Sequence, residues 1–147
     1  MLAKEGPNMK ILVPVDGSAY SLKAVEKACD LAKAQAPASV VLTAVAIQIP
    51  ELEEGVYIAE KMKAQAEAAL AKAREVAQAQ GITPEVILAT GASPADEIVR
   101  VAKDQKADLI VIGSRGLAGK TRSFLGSTAS QVVTYSPCSV LVVKTQD

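Results

Sequence analysis

Histidine is absent from this chain of 147 residues, and with it the commonest general base at neutral pH and the commonest transition-metal ligand. Serine–histidine hydrolysis, cysteine–histidine proteolysis and histidine-held metals are excluded on stoichiometry. Cysteine occurs twice, at Cys29 and Cys138. The pair fits no Cys-x-x-Cys spacing, so a disulfide or zinc framework has little support, and free thiols in a reducing compartment fit best. Tryptophan is missing, aromatics make up 3% and the net charge is +0, which leaves little to stack on bases or to attract a nucleic-acid backbone. No apolar run approaches the roughly 20 residues that span a bilayer, and the start of the chain lacks the charged and apolar stretches of a secretory signal. These absences predict a cytoplasmic protein with neither membrane nor nucleic acid as partner. Two nucleotide-binding signatures are missing as well. Gly119-Lys120-Thr121 stands alone without the upstream glycine of a P-loop, and no Gly-x-Gly-x-x-Gly follows the first apolar run.

Hydrophobic residues make up 50% and charged residues 22%, and the length suits one domain with a substantial core. Residues 9–147 are read as that domain, and residues 1–8, ahead of Met9, as a disordered or cloning-derived tail. Met9 to Val15 is almost continuously apolar, as expected of a strand covered on both faces. Leu22, Val25, Cys29 and Ala32 then recur at steps of three and four, which predicts a helix from Ser21 to just before Pro37. Ser39 to Ile47 reads as a second buried strand. A long connection through Pro50 and Gly55, placed where a loop often covers a ligand, leads to an alanine-rich helical stripe from Ile58 to Val76 that ends by Gly81. Pro84 to Ala89 supplies a third strand. Ser93 as N-cap, Pro94 at the first helical position and Asp96 as reciprocal acceptor predict the helix that buries Ile98, Val101 and Ala102. Leu109 to Ile112 is the fourth strand, Ser127 to about Tyr135 a short helix, and Cys138 to Val143 the fifth strand. Strands alternating with helices predict an α/β fold: an open, five-stranded parallel sheet with helices on both faces and ligands beyond the carboxyl ends of the strands.

One stretch points to chemistry. After the fourth strand come Gly113-Ser114-Arg115-Gly116, nine residues ending at Leu125, then Gly126-Ser127 and the start of a helix. Glycines let a backbone approach an anion, and a helix N-terminus adds unsatisfied N–H donors with a partial charge of about half a unit. The surrounding charge is one-sided. No acidic residue lies between Asp108 and Asp147, whereas Arg115, Lys120, Arg122 and Lys144 do, the first three of them inside the loop. That bias fits a phosphate site; a structural loop that happens to be basic is the alternative.

The spacing of Gly113, Gly116, Gly126 and Ser127 resembles the Gly-x2-Gly-x9-Gly-Ser/Thr loop of the ATP-binding branch of the universal stress protein family. The resemblance runs from Met9 to Val143. Val13-Pro-Val-Asp-Gly-Ser18 is similar to the family's first strand and turn, Ala107 to Gly116 to its fourth strand and loop, and Ser136 to Val143 to its last strand. It implies a Rossmann-like fold of the adenine nucleotide alpha hydrolase type. It places Pro14, Val15 and Asp16 at the adenosine end of the site, Val45 beside adenine through its backbone, and Ile112, Gly113, Arg115, Gly116, Gly126, Ser127 and Thr128 around ribose and phosphates. Two of these positions also have plain structural readings, Asp16 as a turn and helix-entry residue and Val45 as core. For Lys120 and Arg122, distal phosphate contact and a solvated loop stay equally open.

The resemblance further implies ATP or AMP as ligand, with magnesium or manganese held through the phosphates. It implies a homodimer through Val140 to Val143, an edge segment apolar on both faces, and an unidentified regulatory protein partner. Three functions follow as candidates: an ATP-binding regulatory, stress-response protein with little turnover, a slow ATPase, and a nucleotide-free dimeric scaffold.

Overall fold

The computed structural model describes residues 8–48, 55–116 and 125–144. The tail expected at residues 1–8 lies outside them but for Asn8, as do residues 49–54 of the long connection and residues 117–124 of the glycine loop, Lys120 and Arg122 among them.

The elements run β1 (Met9–Pro14), α1 (Ala19–Ala34), β2 (Ala38–Ile47), α2 (Gly55–Ala79), β3 (Glu85–Gly91), α3 (Pro94–Gln105), β4 (Leu109–Gly113), α4 (Ser127–Tyr135) and β5 (Ser139–Val143). All strand pairs are parallel, and the sheet order is β3-β2-β1-β4-β5. The chain therefore builds outward from β1 to β3, crosses back, and builds β4 and β5 on the other side. The strand order reverses between β1 and β4.

Period-two alternation distributes β1 between two cores. Ile11, Val13 and Val15 join Val40, Leu42 and Val111 under α1 and α2, which contribute Val25, Cys29, Leu70 and a row of alanines. Leu12, Val41, Ile110 and Ile112 face the other way, onto Ile98, Val101, Ala129 and Val132 of α3 and α4. Because helices cover both faces, strand residues of either parity are buried, which is why these strands read as continuous apolar runs.

Helix ends follow local chemistry. Ser18 caps α1, its Oγ accepting the Ser21 N–H at 3.1 Å, so that helix begins two residues before the position read from the apolar stripe. Ser93 caps α3, accepting the Asp96 N–H at 3.3 Å. The Asp96 carboxylate, expected to reach back to Ser93, is instead exposed in the first turn, where it complements the positive end of the helix dipole. α3 ends at Lys106, in the left-handed region at φ 54°.

Alanine governs how α2 sits. Ala66, Ala69, Ala73 and Ala77 are all buried against the sheet and α1, while Ala71 is exposed. Small side chains leave no room for a larger one at a close-packed contact. Ala73→Leu is therefore expected to cost about 1–3 kcal/mol in a urea titration, and Ala71→Leu less than about 0.5 kcal/mol. Equal midpoints for the two variants would show that this face tolerates extra volume.

Candidate functional site

The site begins where the β1–β4 ladder stops. The β1–β2 register continues to Pro14↔Thr43 and the β4–β5 register to Gly113↔Val143, but β1 and β4 pair only at Ile11↔Leu109 and Leu12↔Ile110. The reason lies in β1. Asp108 donates its N–H to Lys10 O at 2.9 Å on the β4 side, and Val15 donates to Thr43 O at 2.8 Å on the β2 side. With alternation along the strand, even-numbered residues of β1 therefore face β4. The next even residue after Leu12 is Pro14, which has no N–H to give. The two strands part beyond that point, and a crevice opens at their carboxyl ends, at the position where the strand order reverses.

One wall of the crevice is the β1–α1 turn. The Asp16 N–H donates to Ser21 Oγ at 3.3 Å, and Asp16 Oδ1 accepts the Ser18 N–H at 2.9 Å. Gly17 follows at φ +89°, a conformation that glycine adopts without strain. The turn and helix-entry role of Asp16 is thus formed. Its other carboxylate oxygen reaches across the crevice: Oδ2 lies 2.6 Å from where a Cβ on Gly116 would stand.

The opposite wall is the corner after β4. Ser114 donates its N–H to Val143 O at 2.9 Å, and its carbonyl accepts the Gly126 N–H at 2.7 Å. That second bond closes the long loop on itself and seats the start of α4 beside Gly113 to Gly116. Gly126 is the N-cap of α4 and, having no side chain, provides no capping bond, unlike Ser18 and Ser93 on α1 and α3. The first turn of α4, Ser127 to Ala129, holds no acidic residue. An N-terminus of this kind directs N–H dipoles outward without a side-chain acceptor and attracts anions.

The glycines of the corner have a packing role that their spacing did not announce. None of Gly113, Gly116 and Gly126 has positive φ. The space beside each is occupied by the protein itself. A Cβ on Gly113 would stand 2.8 Å from the Tyr20 carbonyl carbon and oxygen, one on Gly116 would meet Asp16, and one on Gly126 would lie 3.2 Å from Arg115 Cα and 3.3 Å from Ser114 O. They are close-approach glycines that let α1, Asp16 and the returning loop pack onto one corner.

The fold brings Pro14, Val15 and Asp16 at the end of β1 together with Gly113, Arg115, Gly116, Gly126, Ser127 and Thr128 at the end of β4 and the start of α4. Asp16 and Ser127 are exposed, and Arg115 and Thr128 half-buried. The side chains of Val15 and Ile112 are buried in the two cores, so these residues can face the crevice only through their backbones. Val45 is half-buried on β2 and packs toward the α3 and α4 side, which fits its core reading. Cys29 is buried, and its thiol is pushed up by burial, as suits a small apolar residue; Cys138 is only half-buried, with Ser136 Oγ 3.6 Å from its sulfur.

Two features escaped the sequence reading. Tyr20 lies under Arg115, its ring centroid 5.9 Å from the guanidinium carbon. Glu97 packs its carboxylate against Gly91 at the tip of β3 and pairs with Arg100 at 2.7 Å. The i,i+3 spacing of Glu97 and Arg100 is the local signal that could have found the pair. Nothing local announced Tyr20, because its partners lie about ninety residues away in sequence. Among the described residues, no three or more His, Cys, Asp and Glu side chains gather into a group that could hold a metal ion.

The model of the universal stress protein family matches residues 7–144. The chain belongs to that family. It is 36% identical to universal stress protein MJ0531 of Methanocaldococcus jannaschii, over 97% of this chain and 87% of that protein. Among solved structures it is similar to the universal stress protein UspA from Lactobacillus plantarum, at TM-score 0.79 and 28% identity over 94% of this chain and 99% of that one. It is also similar to a universal stress protein crystallised in complex with cAMP, at TM-score 0.73 and 32% identity over 94% and 98% of the two chains. The Rossmann-like, doubly covered parallel sheet expected from the sequence is the fold of this universal stress protein.

If Gly113 serves close approach, a methyl group there must displace the α1 backbone. Gly113→Ala is expected to destabilise the protein by about 1–3 kcal/mol in denaturant titration, and Gly126→Ala, whose contacts are several tenths of an ångström longer, by less than about 1.5 kcal/mol. A Gly113→Ala variant as stable as the parent would refute the packing role.

Proposed function

We propose that this universal stress protein binds an adenine nucleotide in the crevice between β1 and β4, with the phosphates against the corner formed by Gly113 to Gly116 and the start of α4. One observation carries the reading: among the described residues, β1 and β4 stop pairing early where the strand order reverses, and that point is flanked by a carboxylate on one side and by an uncapped helix N-terminus with an arginine on the other. The ends of a nucleotide match those walls. Ribose hydroxyls suit the Asp16 carboxylate, and phosphate oxygens suit the amides of Gly126 to Thr128, the Ser127 and Thr128 hydroxyls and the Arg115 guanidinium. The similar protein crystallised with cAMP supports an adenine nucleotide.

Within that reading we assign the chain to the ATP-binding branch, with ATP or AMP as resident ligand and magnesium or manganese held through phosphate oxygens. Pro14, Val15 and Asp16 line the adenosine end, Val45 lies beside adenine through its backbone, and Ile112 joins the loop residues around ribose and phosphates, with Val15 and Ile112 presenting only main chain. Occupancy then acts as a signal. It sets the conformation of the corner and thereby the choice of a regulatory partner, in a cytoplasmic homodimer joined along β5, residues 9–147 forming the functional domain. The edge supports dimerisation: β5 pairs with β4 on one side, and Val133 and Tyr135 of the neighbouring α4 are exposed large hydrophobics.

Turnover is expected to be low. Phosphoryl transfer needs a group that positions water at the terminal phosphate. Asp16 is held by the turn at the adenosine end, and Glu97 is paired with Arg100 two strands away from β1.

With no tryptophan in the chain, a co-purifying nucleotide dominates absorbance near 260 nm. The supernatant released by acid from purified protein is expected to contain ATP, AMP or both by mass spectrometry. An empty supernatant, together with no heat on titrating ATP and magnesium, would favour the nucleotide-free scaffold. Phosphate release should be slow and unchanged in Asp16→Ala; a fall of tenfold or more in that variant would instead give Asp16 a part in hydrolysis.

A further inference from the structure

One residue of α1 touches the glycine corner twice. The Tyr20 main chain fills the space beside Gly113, and the Tyr20 ring lies beneath the Arg115 guanidinium, 5.9 Å from centroid to carbon. Both side chains are half-buried. The next residue, Ser21, accepts the Asp16 N–H, so the same helical turn supports both walls of the crevice.

We propose that Tyr20 is a positioning residue for the phosphate end of the site, holding Arg115 where its charge meets an anion. The inference rests on the nucleotide-binding reading and adds to it a residue outside the loop. Its physical basis has two parts. The backbone and Cβ from which the ring projects are held by the close approach to Gly113, so the platform under Arg115 starts from a fixed root. A ring face also attracts a guanidinium without cancelling its charge. An arginine ordered before the ligand arrives loses less conformational freedom on binding. Tyr20 thus acts on ligands that carry phosphate, through Arg115, and not on the nucleoside.

Calorimetric titration of the full chain with ATP and with adenosine tests this. Tyr20→Leu is expected to weaken ATP binding about two- to fivefold, the range that an exposed cation–π contact supports, and to leave adenosine binding unchanged. Tyr20→Phe, which keeps the ring, should bind ATP as the parent does. In an Arg115→Gln background, Tyr20→Leu should have no further effect on ATP. Unchanged ATP affinity in Tyr20→Leu, a proportional loss of adenosine, or additive losses from Tyr20 and Arg115 would each overturn the positioning role while nucleotide binding by the parent stands. A parent that binds neither compound overturns the nucleotide reading itself, and the role of Tyr20 with it.

Discussion

A parallel ladder needs a donor at every second residue of each strand, and at Pro14 the central strand cannot supply one on the side facing β4. The crevice between β1 and β4 depends on that missing donor. On either side of it the sheet is continuous, from β3 through β2 to β1 and from β4 to β5, so the break is confined to one interval. The topology adds its own contribution there. Because β2 and β3 are laid down on one side of β1 and β4 and β5 on the other, the helices that follow β1 and β4 pack on opposite faces of the sheet.

The walls of this opening are built chiefly by backbone approach. Gly113, Gly116 and Gly126 each give up a side chain so that another segment can enter: the α1 main chain, the Asp16 carboxylate and the backbone of Ser114 and Arg115. Residues 16–20, about a hundred positions upstream, thereby share one corner with residues 113–116 and Gly126. The hydrogen bond from Gly126 N–H to Ser114 O closes it, and Gly126 brings no capping side chain to α4. Close packing of this kind resists added volume, and it couples the corner to α1, since movement at Gly113 must be answered at Tyr20.

Much of this was legible in the chain. The strands were plain because covering both faces turns them into apolar runs, and the helices because alanine and valine stripes and the Ser93-Pro94 start have local meaning. The spacing of Gly113, Gly116 and Gly126 put a glycine corner between the fourth strand and the next helix, but the close contacts each of them permits had no local sign, since a glycine needed for close packing and one needed for an anion look alike in a sequence. Asp16 shows the same ambiguity. One oxygen serves its own turn, as an Asp before Gly-Ser does locally, and the other faces Gly116 across the crevice, a relation between residues 100 positions apart.

By itself the sequence determined the element order, the two-sided burial of the strands, the Ser93 cap and the place of the glycine corner after the fourth strand, because each rests on propensity, periodicity or turn chemistry within a few neighbouring residues. Only the tertiary structure decided which strands stand side by side, where their pairing stops, that Tyr20 lies under Arg115 and that the side chains of Val15 and Ile112 point into the cores. Those outcomes depend on strand order and side-chain direction, which follow from packing the whole chain into two layers around one sheet and have no local signature.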